Sequence, residues 1–186
     1  MILNDLAIQS RAEHGMIQPF VPHQVTSNDR GKVVSFGLTS FGYDIRLGQT
    51  FVEYQPNHAP NDPKDPSAFR TATFTADHYV IKPGAFVLAH SAEYFHIPAD
   101  IVGICVGKST YARLGIHVLV TPLEPEWRGY LTLEIANLSN VPVKLYANEG
   151  IAQIQFHEGD APWVTYGDRK GKYQDQAPTV VLPRMK

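Results

Sequence analysis

The chain has 186 residues, of which 44% are hydrophobic and 18% charged, with 14 glycines and 14 prolines. That mix excludes wholesale disorder, and glycine without a fixed period excludes a collagen-like repeat. Lys plus Arg is 16 against 18 for Asp plus Glu, a formal net charge of −2, so the basic surplus of a protein that grips duplex nucleic acid is missing. At roughly 100–200 residues per domain, the length fits one domain or a tight fusion of two, large enough to bury a core without disulfides or metal. The single cysteine, Cys105, rules out an intrachain disulfide framework and any one-chain zinc site with two or more cysteine ligands. It sits in an apolar run and reads as a buried, inert thiol. No apolar stretch approaches a membrane span, and the N-terminal stretch turns polar too early for a secretion signal. A soluble protein of a reducing cytoplasm is expected.

Residues 3–15 predict a helix, capped by Asn4 or Asp5, apolar along Leu3, Leu6, Ala7 and Ile8, and ended by Gly15. Residues 18–34 mix strand and loop. Strands then follow one another: Tyr43–Leu47, Thr50–Tyr54, Thr71–Thr75, Tyr79–Ile81, Phe86–His90 and Tyr94–Ile97. The stretch 55–68 holds Pro56, Pro60, Pro63 and Pro66 and predicts a long surface loop, for which a functional loop and a plain insertion both fit. Ile101–Val106 is a nearly continuous apolar run, the pattern of a strand buried on both faces. His117–Thr121, Tyr130–Ala136, Val141–Leu145, Ile151–Phe156 and Trp163–Tyr166 complete the set. Short strands with turn signals roughly every 8–12 residues indicate an all-β sandwich, roll or barrel, and the lack of a second long helix disfavours a parallel βαβ fold. The tail from Asp168 is polar and then apolar at 179–182, a segment that orders only against another surface.

Gly103-Ile104-Cys105-Val106-Gly107-Lys108-Ser109-Thr110 imitates a phosphate-binding P-loop but fails as one. A P-loop needs four residues between its glycines so that backbone amides can wrap the phosphates. Here there are three, all bulky or apolar, and Gly115 stops the following helix early. The local physics still suits an anion. Ser109 can cap a short helix through Ala112 or Arg113, Lys108 adds charge beside the free amides, and Arg113 lies one turn along the same face. A capped surface turn with two solvated cations fits the same residues.

Along Tyr130–Ala136 the period is two. Leu131, Leu133 and Ile135 point to the core, while Tyr130, Thr132, Glu134 and Ala136 point the other way. Glu134 is then either a solvent-facing strand residue or a cleft carboxyl whose burial raises its pKa for proton transfer. The 8 histidines form no H-x-H, H-E-x-x-H or H-x-E pattern, so no metal cluster follows from them. The tail Tyr166–Gln176 mixes cations, aromatics and amides, either as a solvated arm or as an element that closes over an anionic ligand.

In conjunction, Ser40–Gly48, Gly107–Gly115, Thr121–Gly129, Thr132-Leu133-Glu134, Tyr146–Gln153 and Gly171–Gln174, in this order, resemble bacterial dCTP deaminases. The resemblance implies one domain over 1–186 with a mainly β fold, a distorted, jelly-roll-like β-roll or barrel of the dUTPase type with a short N-terminal helix. It implies a homotrimer with active sites shared between subunits and a C-terminal lid at about 167–186. Glu134 would be the general acid/base, and Ser109 would help hold the attacking water. Lys108, Ser109, Thr110 and Arg113 would bind the triphosphate, with Tyr111 and Ala112 in the same stretch and Arg113 lent by a neighbouring subunit. Tyr166, Lys172 and Gln176 would come from the lid, with Gln153 nearby. Thr121, Pro122, Glu124 and Trp127 would frame base and sugar, and Thr132 and Leu133 lead into Glu134. The 121–127 loop is shorter than in some members.

The implied reaction is dCTP plus water giving dUTP and ammonia, supplying dUTP for dUMP and dTTP synthesis, with dTTP as feedback inhibitor. Mg²⁺ would arrive on the substrate triphosphate, mainly through phosphate oxygens. Zinc deaminases use H-x-E and P-C-x-x-C to make a bound hydroxide; this chain lacks both, so no zinc is expected. No nucleic acid or membrane partner is implied. Two alternatives stay open: a bifunctional enzyme that also cleaves the triphosphate to dUMP, and a non-catalytic nucleotide-binding β-roll.

Overall fold

A computed structural model describes residues 1–185. In chain order the elements are α1 (Asp5–Glu13), β1 (Ile17–Gln18), β2 (Val25–Asn28), β3 (Gly31–Thr39), β4 (Gly42–Arg46), β5 (Thr50–Tyr54), a 3₁₀ turn (Pro66–Ala68), β6 (Thr71–Thr75) and β7 (His78–Ile81). They continue with β8 (Phe86–His96), β9 (Ile101–Gly107), α2 (Ser109–Ala112), β10 (Ile116–Leu119), β11 (Arg128–Asn137), β12 (Val143–Tyr146) and β13 (Gly150–Glu158). One sheet runs β10-β11-β8-β5-β6, with β1 also on β8; a second runs β2-β3-β4-β13-β9; β12 and β7 form a separate pair. All pairings between these strands are antiparallel. The mainly β architecture with a short N-terminal helix is the expected one. No helix among the described residues is long and apolar enough to cross a membrane.

The helix is capped by Asn4, whose side chain accepts from the amide of Ala7, and the chain leaves it through Gly15 at φ +93°. Ile8 and Ala12 are its buried residues, whereas Leu6 is exposed, so its apolar side is narrower than the composition suggested. The core is one cluster fed by both large sheets, with Tyr43, Ile45, Ile154 and Phe156 from one and Phe51, Val87, Leu133 and Ile135 from the other. Each such side chain contributes about 1.5–3 kcal/mol relative to exposure.

Four expectations are corrected by the fold. The strands expected at 86–90 and 94–97 are a single strand, β8. Polar Ser91 and Glu93 mimic a break, but both are fully buried and satisfied. The Ser91 hydroxyl donates to the carbonyl of Glu93 at 2.7 Å, and Glu93 accepts from the Arg46 side chain at 2.7 Å and from its amide at 3.0 Å. Burial pushes the Glu93 carboxyl up, while the adjacent guanidinium pulls it down. Second, β9 is not buried on both faces: Ile104 and Val106 are exposed in the single chain. Third, residues 163–166 form no strand, and Trp163 is 99% exposed. Fourth, Ser109 is the first residue of α2 rather than its cap; Lys108 holds the cap position and makes no side-chain cap bond.

Candidate active site

The alternation along β11 is as the sequence implied: Leu131, Leu133 and Ile135 are buried, and Thr132 and Glu134 face away from that core. Cross-strand register sets Glu134 opposite Leu88 and Thr132 opposite His90 on β8, and Leu88 in turn opposite Val52 on β5. This sheet face is the floor of a cleft of about 720 Å³. Tyr54, Phe86 and Leu88 line it beside Glu134 and Thr132, and the 120–124 segment with Trp127 forms one wall. The other wall is the C-terminal tail, which contributes Tyr166, Lys172, Tyr173 and Gln176 and then Val181, Pro183 and Met185.

The tail is fastened to the body at several points. Gln176 forms a parallel bridge with Gly129, and its carbonyl accepts from the amide of Tyr130 at 3.1 Å. The Trp127 indole donates to the carbonyl of Tyr173 at 2.8 Å, which satisfies the polar edge of a ring only 6% exposed. The Gln174 amide donates to the carbonyl of Glu126 at 2.8 Å, and Arg128 pairs with Asp175 at 2.5 Å. Inside the tail, the Tyr166 hydroxyl accepts from the amide of Tyr173 at 2.9 Å. The 124–128 segment and the tail thus hold each other in shape.

Glu134 is half-buried, and loss of hydration raises its carboxyl to about 7, a hydrogen bond from its own backbone opposing part of the rise. At neutral pH it populates both protonation states, as a group that accepts and then returns a proton must. Its charge is felt at Tyr54 and Cys105, both shifted upward chiefly by burial; the Cys105 thiol reaches about 12, in keeping with an inert thiol.

Of the residues expected in the site, the fold gathers Thr121, Pro122, Glu124, Trp127, Thr132, Glu134, Tyr166, Lys172 and Gln176 around this one cleft. Leu133 lies beneath it in the core. The 108–113 segment and Gln153 line no part of it. Ser109, Thr110, Ala112 and Arg113 are exposed, with the Arg113 guanidinium donating to the Ser109 carbonyl at 3.0 Å. Tyr111 is buried, and its hydroxyl accepts from the amide of Tyr146 at 3.1 Å. Lys108 is buried against Asp44. Sequence reasoning missed Tyr54, Phe86 and Leu88; the signal was available, since each lies on a strand at the parity that faces Glu134.

A titratable carboxyl on a β-sheet floor, between aromatic rings and a tail that brings Lys172 to the cleft, makes a candidate acid–base site. Residues 2–159 match the family model described as dCTP deaminase-like. The chain is 50% identical over 186 residues to the dCTP deaminase of Acidobacterium capsulatum, covering 99% of both chains. It is 53% identical over 177 residues to that of Herpetosiphon aurantiacus, covering 93% of this chain and 92% of the other. Its fold matches the solved 2'-deoxycytidine 5'-triphosphate deaminase of Agrobacterium tumefaciens with a TM-score of 0.63 at 20% identity, over 88% of this chain; it spans 49% of that longer chain. The chain belongs to the dCTP deaminase-like family.

Proposed function

We propose that this protein hydrolyses dCTP to dUTP and ammonia in the cytoplasm, as one domain with a C-terminal lid over 167–186. The observation that carries the reading is Glu134, raised to about 7 on the floor of a cleft that an aromatic and cationic tail closes. Its carboxylate takes a proton from water as the oxygen adds to C4 of cytosine, and passes that proton to N3. It then takes the hydroxyl proton of the tetrahedral adduct and hands it to the amino group. Ammonia leaves as the C4 carbonyl forms. General acid–base help of this kind is worth roughly 10²–10⁴-fold.

In this reading Thr121, Pro122, Glu124 and Trp127 frame base and sugar, with Thr132 beside them, and Tyr166, Lys172 and Gln176 close over the phosphates. Ser109 holds the attacking water, Lys108, Ser109, Thr110 and Arg113 bind the triphosphate and support the site, and Arg113 comes from a neighbouring subunit of a homotrimer. Gln153 supports the turn from Lys108 to Arg113. The exposed side chains of α2 support this arrangement, as do the exposed apolar residues Ile104, Val106, Leu114 and Leu119 nearby in sequence. Such a surface is the kind a second copy covers. Mg²⁺ arrives on the substrate triphosphate, zinc takes no part, and dTTP acts as the end-product inhibitor.

The test is one incubation of dCTP with the purified protein in which ammonia, base and phosphate products are resolved. Equal amounts of dUTP and ammonia are expected. Pyrophosphate with dUMP would replace this reading by the bifunctional one, and absence of ammonia would leave the non-catalytic binding module. Activity should survive strong zinc chelation and fall when Mg²⁺ is withdrawn.

A further inference from the structure

Lys108 is the residue whose surroundings depart most from what its place in the chain suggests. It stands next to a turn of exposed polar residues, where a lysine would be expected to reach outward to an anion. Instead it is 9% exposed, and its ammonium donates to Oδ2 of Asp44, itself 4% exposed. The other oxygen of Asp44 accepts from the Gln153 side-chain amide at 3.1 Å, and that amide also lies 3.4 Å from the Thr39 hydroxyl. Both carboxylate oxygens are therefore committed inside the protein.

The strands make this connection a brace. Asp44 is on β4, opposite Gln153 on β13, and β13 pairs on its other side with β9, whose last residue precedes Lys108. The Lys108 side chain consequently crosses β13 to reach β4. Gly150 lies alongside: a Cβ there would clash first with the Ser35 carbonyl oxygen, at 2.0 Å, and would stand 3.2 Å from the Lys108 Cε. At its backbone, Lys108 caps α2, its carbonyl accepting from the amide of Ala112 at 2.9 Å. One end of Lys108 thus sets where α2 begins, and the other is held by a buried carboxylate two strands away.

We propose that Asp44 is a positioning residue for the phosphate-contacting turn, holding Lys108 and, through it, Ser109 and Arg113 at the start of α2. The proposal rests on the reading of 108–113 as the triphosphate contact. Asp44 touches no substrate. Its charge neutralises that of Lys108, so Lys108 supplies geometry, and the cation presented to phosphate is the exposed Arg113. A turn held this way is set before the ligand arrives, and misplacement of a binding group by about 1 Å can cost on the order of 10²-fold.

The test uses the full-length protein and inorganic tripolyphosphate as a competitive inhibitor of dCTP deamination. An inhibition constant does not depend on the fraction of molecules that are folded, so loss of stability alone leaves it unmoved. In Asp44→Asn the constant for tripolyphosphate and the KM for dCTP should both rise at least about tenfold, the scale expected for a displaced binding group. If Asp44→Asn does not fold, Asp44→Asn with Lys108→Met removes the unpaired buried charge, and the same rise is expected of it. Unchanged constants in the folded variant overturn the proposal and leave the pair a purely structural one. Wild-type protein that deaminates dCTP without inhibition by tripolyphosphate also overturns it. Wild-type protein that releases no ammonia from dCTP refutes instead the function on which the proposal rests.

Discussion

The hydroxyl of Thr132 donates to the side-chain oxygen of Gln176 at 3.2 Å, two residues along β11 from Glu134. The same hydroxyl accepts from the amide of Val181 at 3.2 Å. A residue of the cleft floor is thereby the anchor for two points of the C-terminal tail, on the same strand as Glu134.

Deletion of the chain from Asp168 onward should weaken dCTP binding by at least about tenfold, since Lys172 and Gln176 and the wall they form are lost together. The buried residues of β8 and β11 stay in place, so the truncated protein should still fold. Titration of dCTP by calorimetry checks it, and an affinity equal to that of the full chain would refute the lid.

Glu134→Gln keeps size and hydrogen bonding but cannot take a proton from water. Turnover should fall by at least roughly 10²-fold, the low end for a lost acid–base group. Affinity for dCTP should hold or improve, because a carboxylate no longer faces a polyanion. Single-turnover kinetics beside equilibrium binding separate the two effects. Near-normal turnover would end the mechanism.

The raised carboxyl of Glu134 also makes a prediction about stability. Its folded value of about 7 lies above the ordinary 4.5, so the folded protein holds this proton more tightly than the unfolded chain does. The contribution is complete below about pH 4.5 and is lost as pH rises through about 7, beyond which it is constant. Glu134→Gln, neutral throughout, escapes that loss. Its melting temperature relative to wild type should climb between pH 5 and pH 7 and level off above, with roughly pH 7 as the upper bound. In the same range wild-type turnover should fall on the acid side, where the base is protonated. A melting difference that does not change with pH would show that Glu134 titrates normally.

If the cleft and the turn at α2 come from different subunits, two inactive variants should complement. Glu134→Gln and Arg113→Ala, mixed under conditions of subunit exchange, should regain a fraction of wild-type activity set by the number of hybrid sites. Exchange without recovery would put both groups in one subunit's site.

Much of this was legible from local pattern. Thr50–Tyr54 is rich in strand formers, and it and Thr71–Thr75 are strands with the expected bounds. The two-residue period of β11 also placed Glu134 correctly against Leu133, because a core face and a cleft face differ in polarity. What stayed hidden depends on partners distant in sequence. Glu93 reads as a strand breaker until Arg46 meets it, 47 positions away. Lys108 reads as an outward cation until Asp44, 64 positions away, takes its ammonium. One wall of the cleft that holds Glu134 is a tail whose own sequence fits a solvated arm equally well.

The two tryptophans sit in opposite surroundings, Trp163 at 99% exposure and Trp127 at 6% with its indole N–H bonded to the tail. Indole emission follows the polarity around the ring. Replacing Trp163 by Phe therefore leaves Trp127 under the tail as the single tryptophan, excited selectively at the red edge of indole absorption, with blue-shifted emission expected for the seated tail and red-shifted emission for a lifted one. If nucleotide moves the tail, that motion can then be timed in stopped flow with unlabelled protein and unlabelled nucleotide.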